Sequence, residues 1–354
     1  MARTMKAMVV QEPYKMEYLD VPVPEINDDE VLIKVKVCGI CGSDKSIYMG
    51  KYAKEKLPFI PGHEFWGVIE ETGKNVTTVK PGDRVAVDIC LTCGTCYFCR
   101  HGDGLLCETF TQLGIHTDGG FAEYVKAPAK NCYLLPDSMD DDYLCAFVEP
   151  LTTVIHASQR MQPKISDSVA IIGMGLGMLH AQMAKARGCA PVIIVGTNAD
   201  KDRFDIAREM GADYVINGDE EDPVEAVFRI TNGVGADNVL EAVGSPETYE
   251  MAFKMLRRGG KLEAFGICAE DAFAKIRPYE FVLGEKKVSG SCAGFGNNWA
   301  EAIRLLEYGI IKPQKMFSMA IPLEELPQMM EEFKTRRDLI KVFVVPGLKE
   351  RFTF

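Results

Sequence analysis

From about residue 153 the chain alternates short apolar runs with helix-patterned stretches, and this narrows its fold more than any other feature. Strands are read at 169–172, 192–195, 213–216, 238–243, 261–265 and 287–290, with helical stretches at about 177–187, 200–210, 223–231 and 246–256. Short apolar strands joined by crossover helices can bury both faces only as a doubly wound parallel sheet, so the expected class is α/β. The first strand runs straight into a glycine turn, VAIIGMGLGML, where the pyrophosphate of a dinucleotide would sit on a helix N-terminus. The spacing is irregular. A G-x-G-x-x-G turn would place its third glycine at Met178, whereas the chain offers Gly173, Gly175 and Gly177. The second strand, PVIIV, ends in Gly196-Thr197-Asn198 and lacks the carboxylate that would hold the ribose hydroxyls and repel a 2′-phosphate. Asp200 and Asp202 follow, as do Lys201 and Arg203. Two acids where a phosphate needs positive charge favour NAD, with NADP possible.

Before residue 150 the texture differs. Short β-branched runs, VLIKVKV (31–37), RVAVDI (84–89) and FAEYV (121–125), are separated by turn signals such as PGD at 81–83, the pattern of an irregular β-domain. After about 292 come a helix, WAEAIRLLEYG, another near 323–335 and a last strand, KVFVV, which are expected to return to the first domain. The expected division is therefore residues 1–152 with 292–354 as one domain and 153–291 as a nucleotide-binding domain.

Cys93, Cys96, Cys99 and Cys107 form C-x2-C-x2-C-x7-C within the loop-like stretch 90–107. Four thiolates can close tetrahedrally around zinc, and a site with four protein ligands has no open position for a substrate, so this is expected to be a structural zinc site. An iron–sulfur run would end in C-x3-C-P, whereas here the gap is seven residues and Glu108 follows Cys107. A disulfide framework belongs to small secreted chains, and no secretion signal is read at MARTMKAMVVQEP.

The net charge of −11, without an offsetting basic stripe, excludes nucleic acid as a natural partner. No apolar run approaches the ~18 residues that cross a bilayer, so no membrane partner is expected. Twelve cysteines in such a chain suit a reducing compartment, and the expected location is cytoplasmic.

A second metal signature lies at CGICGSD (38–44), GHE (62–64) and EP (149–150). A catalytic zinc takes about three protein ligands and keeps a position open, which a thiolate, an imidazole and a carboxylate satisfy. Cys41, His63 and Glu149 are the expected ligands, with Glu64 competing for the carboxylate role. Two zinc ions per chain follow.

The order CGICGSD, PGHEFWG, four-cysteine loop, DGGFAEY, EPLTTVIHA and glycine turn resembles the zinc-containing medium-chain dehydrogenase/reductase family over essentially the whole chain. The EPLTTVIHA segment is similar to the sorbitol (polyol) and threonine dehydrogenase branch. The resemblance implies a GroES-like, irregular β-barrel catalytic domain beside the Rossmann sheet, and a homodimer or homotetramer. It implies that Cys41, His63 and either Glu64 or Glu149 hold the catalytic zinc, that Ser43 sits beside the substrate hydroxyl, and that Asp44 orients a ligand. Gly173, Gly175, Leu176, Gly177, Met178, Asn198, Arg203, Val243 and Gly266 are the candidate nucleotide contacts. The implied reaction is hydride transfer between a secondary alcohol, on a polyol or similar polar chain, and NAD(P). A threonine-type amino-alcohol dehydrogenase, an aldehyde or ketone reductase, or a non-catalytic redox sensor are the alternatives. Many members carry a histidine five residues after the ligand cysteine to pass a proton to solvent. Here that residue is Ser46, which cannot store a proton near neutral pH. His116 and Tyr48 are candidate substrate contacts.

Overall fold

The strand Glu30–Gly39 organises the N-terminal part of the protein. Its apolar side chains Ile33, Val35 and Val37 are buried while Lys34 and Lys36 face solvent, the alternation of a half-buried strand. In the computed structural model, which describes residues 3–354, the chain divides into two compact units. One comprises residues up to 150, 295–307 and 316–354, and the other 151–294 and 308–315.

In the first unit Glu30–Gly39 lies inside an eight-stranded sheet, flanked by Lys341–Val345 on one side and Glu64–Thr72 on the other. All three run antiparallel to their neighbour at this point, and the register sets Gly39 opposite both Glu64 and Phe343. Residues far apart in sequence thus converge on the end of one strand. The run at 121–125 is displaced. Phe121 and Ala122 are buried in a loop, and the strand itself is Tyr124–Pro128. Residues 121–123 still pair through the backbone: the Met8 N–H donates to Phe121 O at 2.8 Å, Ala122 forms an isolated antiparallel bridge with Ala7, and the Glu123 N–H donates to Lys6 O at 3.0 Å. A strand not read from the sequence, Phe317–Pro322, runs parallel to Lys341–Val345.

The second unit holds six parallel strands: β1 (Val169–Ile172), β2 (Val192–Gly196), β3 (Tyr214–Asn217), β4 (Ala236–Glu241), β5 (Leu256–Ala264) and β6 (Lys287–Gly290). Their order, β3-β2-β1-β4-β5-β6, reverses direction beside β1, as in the doubly wound dinucleotide fold. β1 and β2 are buried along their whole length, which is why they read as unbroken apolar runs. The stretch read as one helix at 200–210 is a 3₁₀ turn, Asn198–Arg203, followed by the helix Phe204–Glu209. Thr197 and Asp200 cap this turn with side-chain bonds that a pattern of apolar spacing does not register. Among the described residues no helix is long and apolar enough to cross a membrane.

Candidate functional site

The end of Glu30–Gly39 delivers Cys41 to the N-terminus of a short helix, Gly42–Tyr48. Asp44, in that helix's first turn, accepts the Cys41 N–H at 2.8 Å. This bond satisfies one of the N–H groups a helix start leaves open. The other oxygen of Asp44 lies 3.6 Å from His63 Nδ1, and neither atom has a hydrogen-bond partner among the described residues. Asp44 is fully buried and His63 nearly so. Burial alone would lower the His63 pKa, but Asp44 and Cys41 outweigh it and hold it well above the ordinary value. The second ring nitrogen, Nε2, lies 3.4 Å from the Ser43 hydroxyl. Ser46 turns its own hydroxyl back to Gly42 O at 3.3 Å, as a helical serine commonly does.

Glu64 follows His63 and is the first residue of its strand. Its carboxylate lies over Gly39, where a Cβ would come within 2.2 Å of Oε2, so this close approach requires glycine. Both Glu64 oxygens accept from the Lys341 ammonium, Oε1 at 2.7 Å, and Lys341 also donates to Ile40 O at 3.3 Å. Burial works against the Lys341 charge, yet Glu64 and Cys41 keep its pKa above the ordinary value. Lys341 is absent from the sequence reading, which took KVFVV as a plain strand. A lysine at the head of such a strand is itself a signal, because a buried ammonium persists only beside an acid. Glu149, buried in the first turn of the helix Val148–Met161, is pushed up to about 7 by burial. His63 pulls that value down and Glu64 pushes it further up, so Glu149 shares their electrostatic environment.

Ligand atoms of Cys41, His63 and Glu64 all lie within 4.8 Å of one another. Glu149 stands outside that group. The donor set suits zinc: a thiolate, a carboxylate, and an imidazole whose Nδ1 faces Asp44, the arrangement that orients a metal-bound histidine.

The sulfurs of Cys93, Cys96, Cys99 and Cys107 also lie within 4.8 Å of one another, with Cys93 and Cys99 4.0 Å apart. Zinc–sulfur bonds of about 2.3 Å place tetrahedral sulfurs about 3.8 Å apart, so the fit is close. N–H groups of Thr95 and Cys96 point at Cys93 Sγ, at 3.4 and 3.3 Å, and hold its pKa down at about 5. The Cys93 N–H donates to Cys107 Sγ at 3.3 Å and lowers the pKa of that thiol.

In the second unit the candidate nucleotide residues gather at the carboxyl ends of β1, β2, β4 and β5. Gly173 has φ 109°, and a Cβ there would lie 2.9 Å from Val243. Gly175 faces open space, and a Cβ on Gly177 would meet Ile171 at 3.1 Å. These are the three roles of such glycines: the tight turn, ligand approach and close helix–strand packing. Leu176 caps the helix Gly177–Ala186, in which Met178 is buried. Gly266 packs on Gly244, one residue beyond Val243, where a Cβ would lie 2.3 Å from the Gly244 nitrogen. Asn198 and Arg203 occupy the turn after β2.

A doubly wound sheet with this glycine turn, a closed thiolate site and a buried Cys–His–carboxylate set define the class of zinc-dependent, nucleotide-dependent oxidoreductases. Residues 27–137 match the model of the alcohol dehydrogenase GroES-like domain, and residues 175–308 that of the zinc-binding dehydrogenases. The chain is 35% identical to the sorbitol dehydrogenase of Bacillus subtilis, covering 98% of each. It is also 35% identical to an L-threonine 3-dehydrogenase of Bacillus licheniformis, over 92% of this chain and 94% of that one. Among solved structures it is similar to a zinc-binding dehydrogenase of Sinorhizobium meliloti bound to NADP, with TM-score 0.90, 31% identity, and 97% and 100% of the two chains covered. An Escherichia coli protein described as a short chain alcohol dehydrogenase, complexed with NADH, gives TM-score 0.89 at 29% identity, covering 97% and 99%. The chain belongs to the zinc-containing medium-chain dehydrogenase/reductase family. It is an oxidoreductase acting on CH–OH groups, with zinc and a nicotinamide dinucleotide as cofactors.

Proposed function

We propose that this dehydrogenase oxidises a secondary alcohol on a polyol or sugar alcohol to the ketone, passing hydride to NAD(P). The observation that carries this reading is the grouping of the partly exposed Cys41 with the buried His63 and Glu64, and the Ser43 hydroxyl 3.4 Å from His63 Nε2. The relative named sorbitol dehydrogenase supports the substrate class. Zinc held by Cys41, His63 and a glutamate supplies Lewis acidity, which lowers the pKa of an alcohol toward neutrality. Asp44, 3.6 Å from Nδ1, orients the ring of His63 by its charge. Ser43 is placed to accept the alcohol proton and pass it on, whereas Ser46 is turned away.

Glu149 is our choice for the resting third ligand. Glu64 is already compensated by two bonds from Lys341, while burial opposes the Glu149 charge, which a cation would stabilise. Glu64, whose carboxylate does lie within 4.8 Å of the ligand atoms of Cys41 and His63, is the alternative. Cys93, Cys96, Cys99 and Cys107 hold the second, structural zinc. The nucleotide is held by Gly173, Gly175, Leu176, Gly177, Met178, Asn198, Arg203, Val243 and Gly266. Residues 1–152 with 292–354 act as the catalytic domain and 153–291 as the nucleotide-binding domain. His116 remains a candidate substrate contact, since its loop packs Gly114 directly on Gly62 and His63. The Tyr48 hydroxyl is engaged with Glu331 at 3.0 Å and Tyr14 O at 3.3 Å.

The enzyme is proposed to work in the cytoplasm, which suits twelve free cysteines. A homodimer is supported by the edge strand β6, where Val288 is exposed, and by the nearby helix Pro278–Leu283, which exposes Tyr279, Val282 and Leu283. Light scattering of the parent and of Val282→Asp tests this.

A panel of polyols, sugar alcohols and L-threonine, read by nicotinamide absorbance with both cofactors, tests the reaction. Oxidation of polyols is expected. Preference for threonine establishes the amino-alcohol reading, which the threonine dehydrogenase relative favours. A zinc-replete protein that oxidises none of them overturns both.

A further inference from the structure

We infer that Asp200 sets the choice between a free ribose hydroxyl and a 2′-phosphate in this chain, standing in for the carboxylate missing at the end of β2. This rests on the reading of the second unit as the nucleotide site.

The acid at the strand end is excluded by packing. Met174, from the glycine turn, lies across Gly196, where a Cβ would meet its Sδ and Cε at 2.9 Å. No side chain fits at position 196 while Met174 keeps its place. Negative charge returns within the following turn. The backbone N–H and the hydroxyl of Thr197 both donate to Asp200 Oδ2, each at 3.0 Å. The Asn198 N–H donates to Asp219 Oδ2 at 2.8 Å. Two further bonds tie the exit of β3 to the same place: Gly218 N–H to Gly196 O and Asn217 Nδ2 to Asn198 Oδ1, both at 2.8 Å.

The consequence concerns what this turn can still bind. The two backbone N–H groups that a phosphate would use are taken by carboxylates. The cations are committed as well: Arg203 lies 3.5 Å from Asp200, and Lys201 lies 2.9 Å from Glu220. A 2′-phosphate, with a charge of about −1.5 to −2, would have to displace these acids, whereas a 2′-hydroxyl can donate to Asp200. Asp202, the other acid of the turn, is exposed and takes no part in these bonds.

The test uses the full chain with two probes that differ only at the 2′ position, 5′-AMP and 2′,5′-ADP, titrated by calorimetry without alcohol. The parent is expected to bind 5′-AMP more tightly by about tenfold or more, the size of a near-surface charge interaction. Asp200→Asn keeps an oxygen for Thr197 but removes the charge and with it the ion pair to Arg203. It should move the affinity ratio toward 2′,5′-ADP by about tenfold, with kcat/KM for NADP against NAD moving the same way. Asp202→Asn removes one charge from the same turn and should leave the ratio within about twofold of the parent. Asp200→Ser, read alongside melting temperature, repeats the test should the asparagine variant fold poorly. A parent that favours 2′,5′-ADP overturns the inference, as does an equal response to Asp200→Asn and Asp202→Asn. Failure to bind either probe overturns the nucleotide-site reading and this inference with it. Loss of alcohol oxidation with the ratio intact bears on the substrate reading alone.

Discussion

The two metal-ligand sets differ in how they are built. The four cysteines lie within residues 93–107, and three of them are at least partly exposed. Neighbouring backbone N–H groups point at their sulfurs. The other set, in which Cys41 is partly exposed while His63, Glu64, Glu149, Asp44 and Lys341 are buried, draws on four separate segments, at 41–44, 63–64, 149 and 341, with charges of both signs. A closed thiolate site is complete within one loop and serves to hold it. At the other site the ligands come from different elements and are positioned by buried charges, Asp44 facing His63 and Lys341 pairing with Glu64.

The comparison breaks first, and most visibly, at His63. His63→Ala should lower kcat by about 10³-fold or more, since several kcal/mol of electrophilic stabilisation depend on its ligand set. The melting temperature should fall as well, because the change empties a buried position beside the buried Asp44, and retention of turnover would remove His63 from the site. Lys341→Met comes next. In zinc-stripped protein it leaves Glu64 buried and unpaired, a cost of roughly 3–5 kcal/mol that denaturant unfolding would read. In the same variant zinc affinity should rise, because Glu64 is released toward the ligand atoms of Cys41 and His63; an unchanged affinity would show that the ion pair only supports the fold.

Cys96→Ser tests the other side. Zinc should fall from two to about one per chain, and stability by at least roughly 2 kcal/mol, since metal bound at a closed site contributes folding energy directly. An inactive variant with two zinc ions and unchanged melting would contradict the division between the sites. The smallest effect separates the two glutamates. Glu149→Gln should weaken zinc binding by ~10–100-fold and Glu64→Gln by less. A titration with the reverse ranking assigns the resting ligand to Glu64.

Sequence alone carried what depends on local pattern. The central strands β1 and β2 were legible because strands buried along their whole length must be apolar throughout, and the cysteine loop because all four ligands fall within one short stretch. Cys41, His63, Glu64 and Glu149 stood out by residue type and by resemblance, with Glu149 expected ahead of Glu64, but the local pattern shows no charge on which to rank them. That ranking depends on Lys341, whose place opposite Glu64 follows from the antiparallel register of three strands. The substitute acid at Asp200 likewise depends on Met174 filling the space over Gly196. Composition and periodicity report which residues prefer burial. Only the tertiary structure decides which buried charges meet, because pairing depends on distances that strand register and close packing set between residues far apart in the chain.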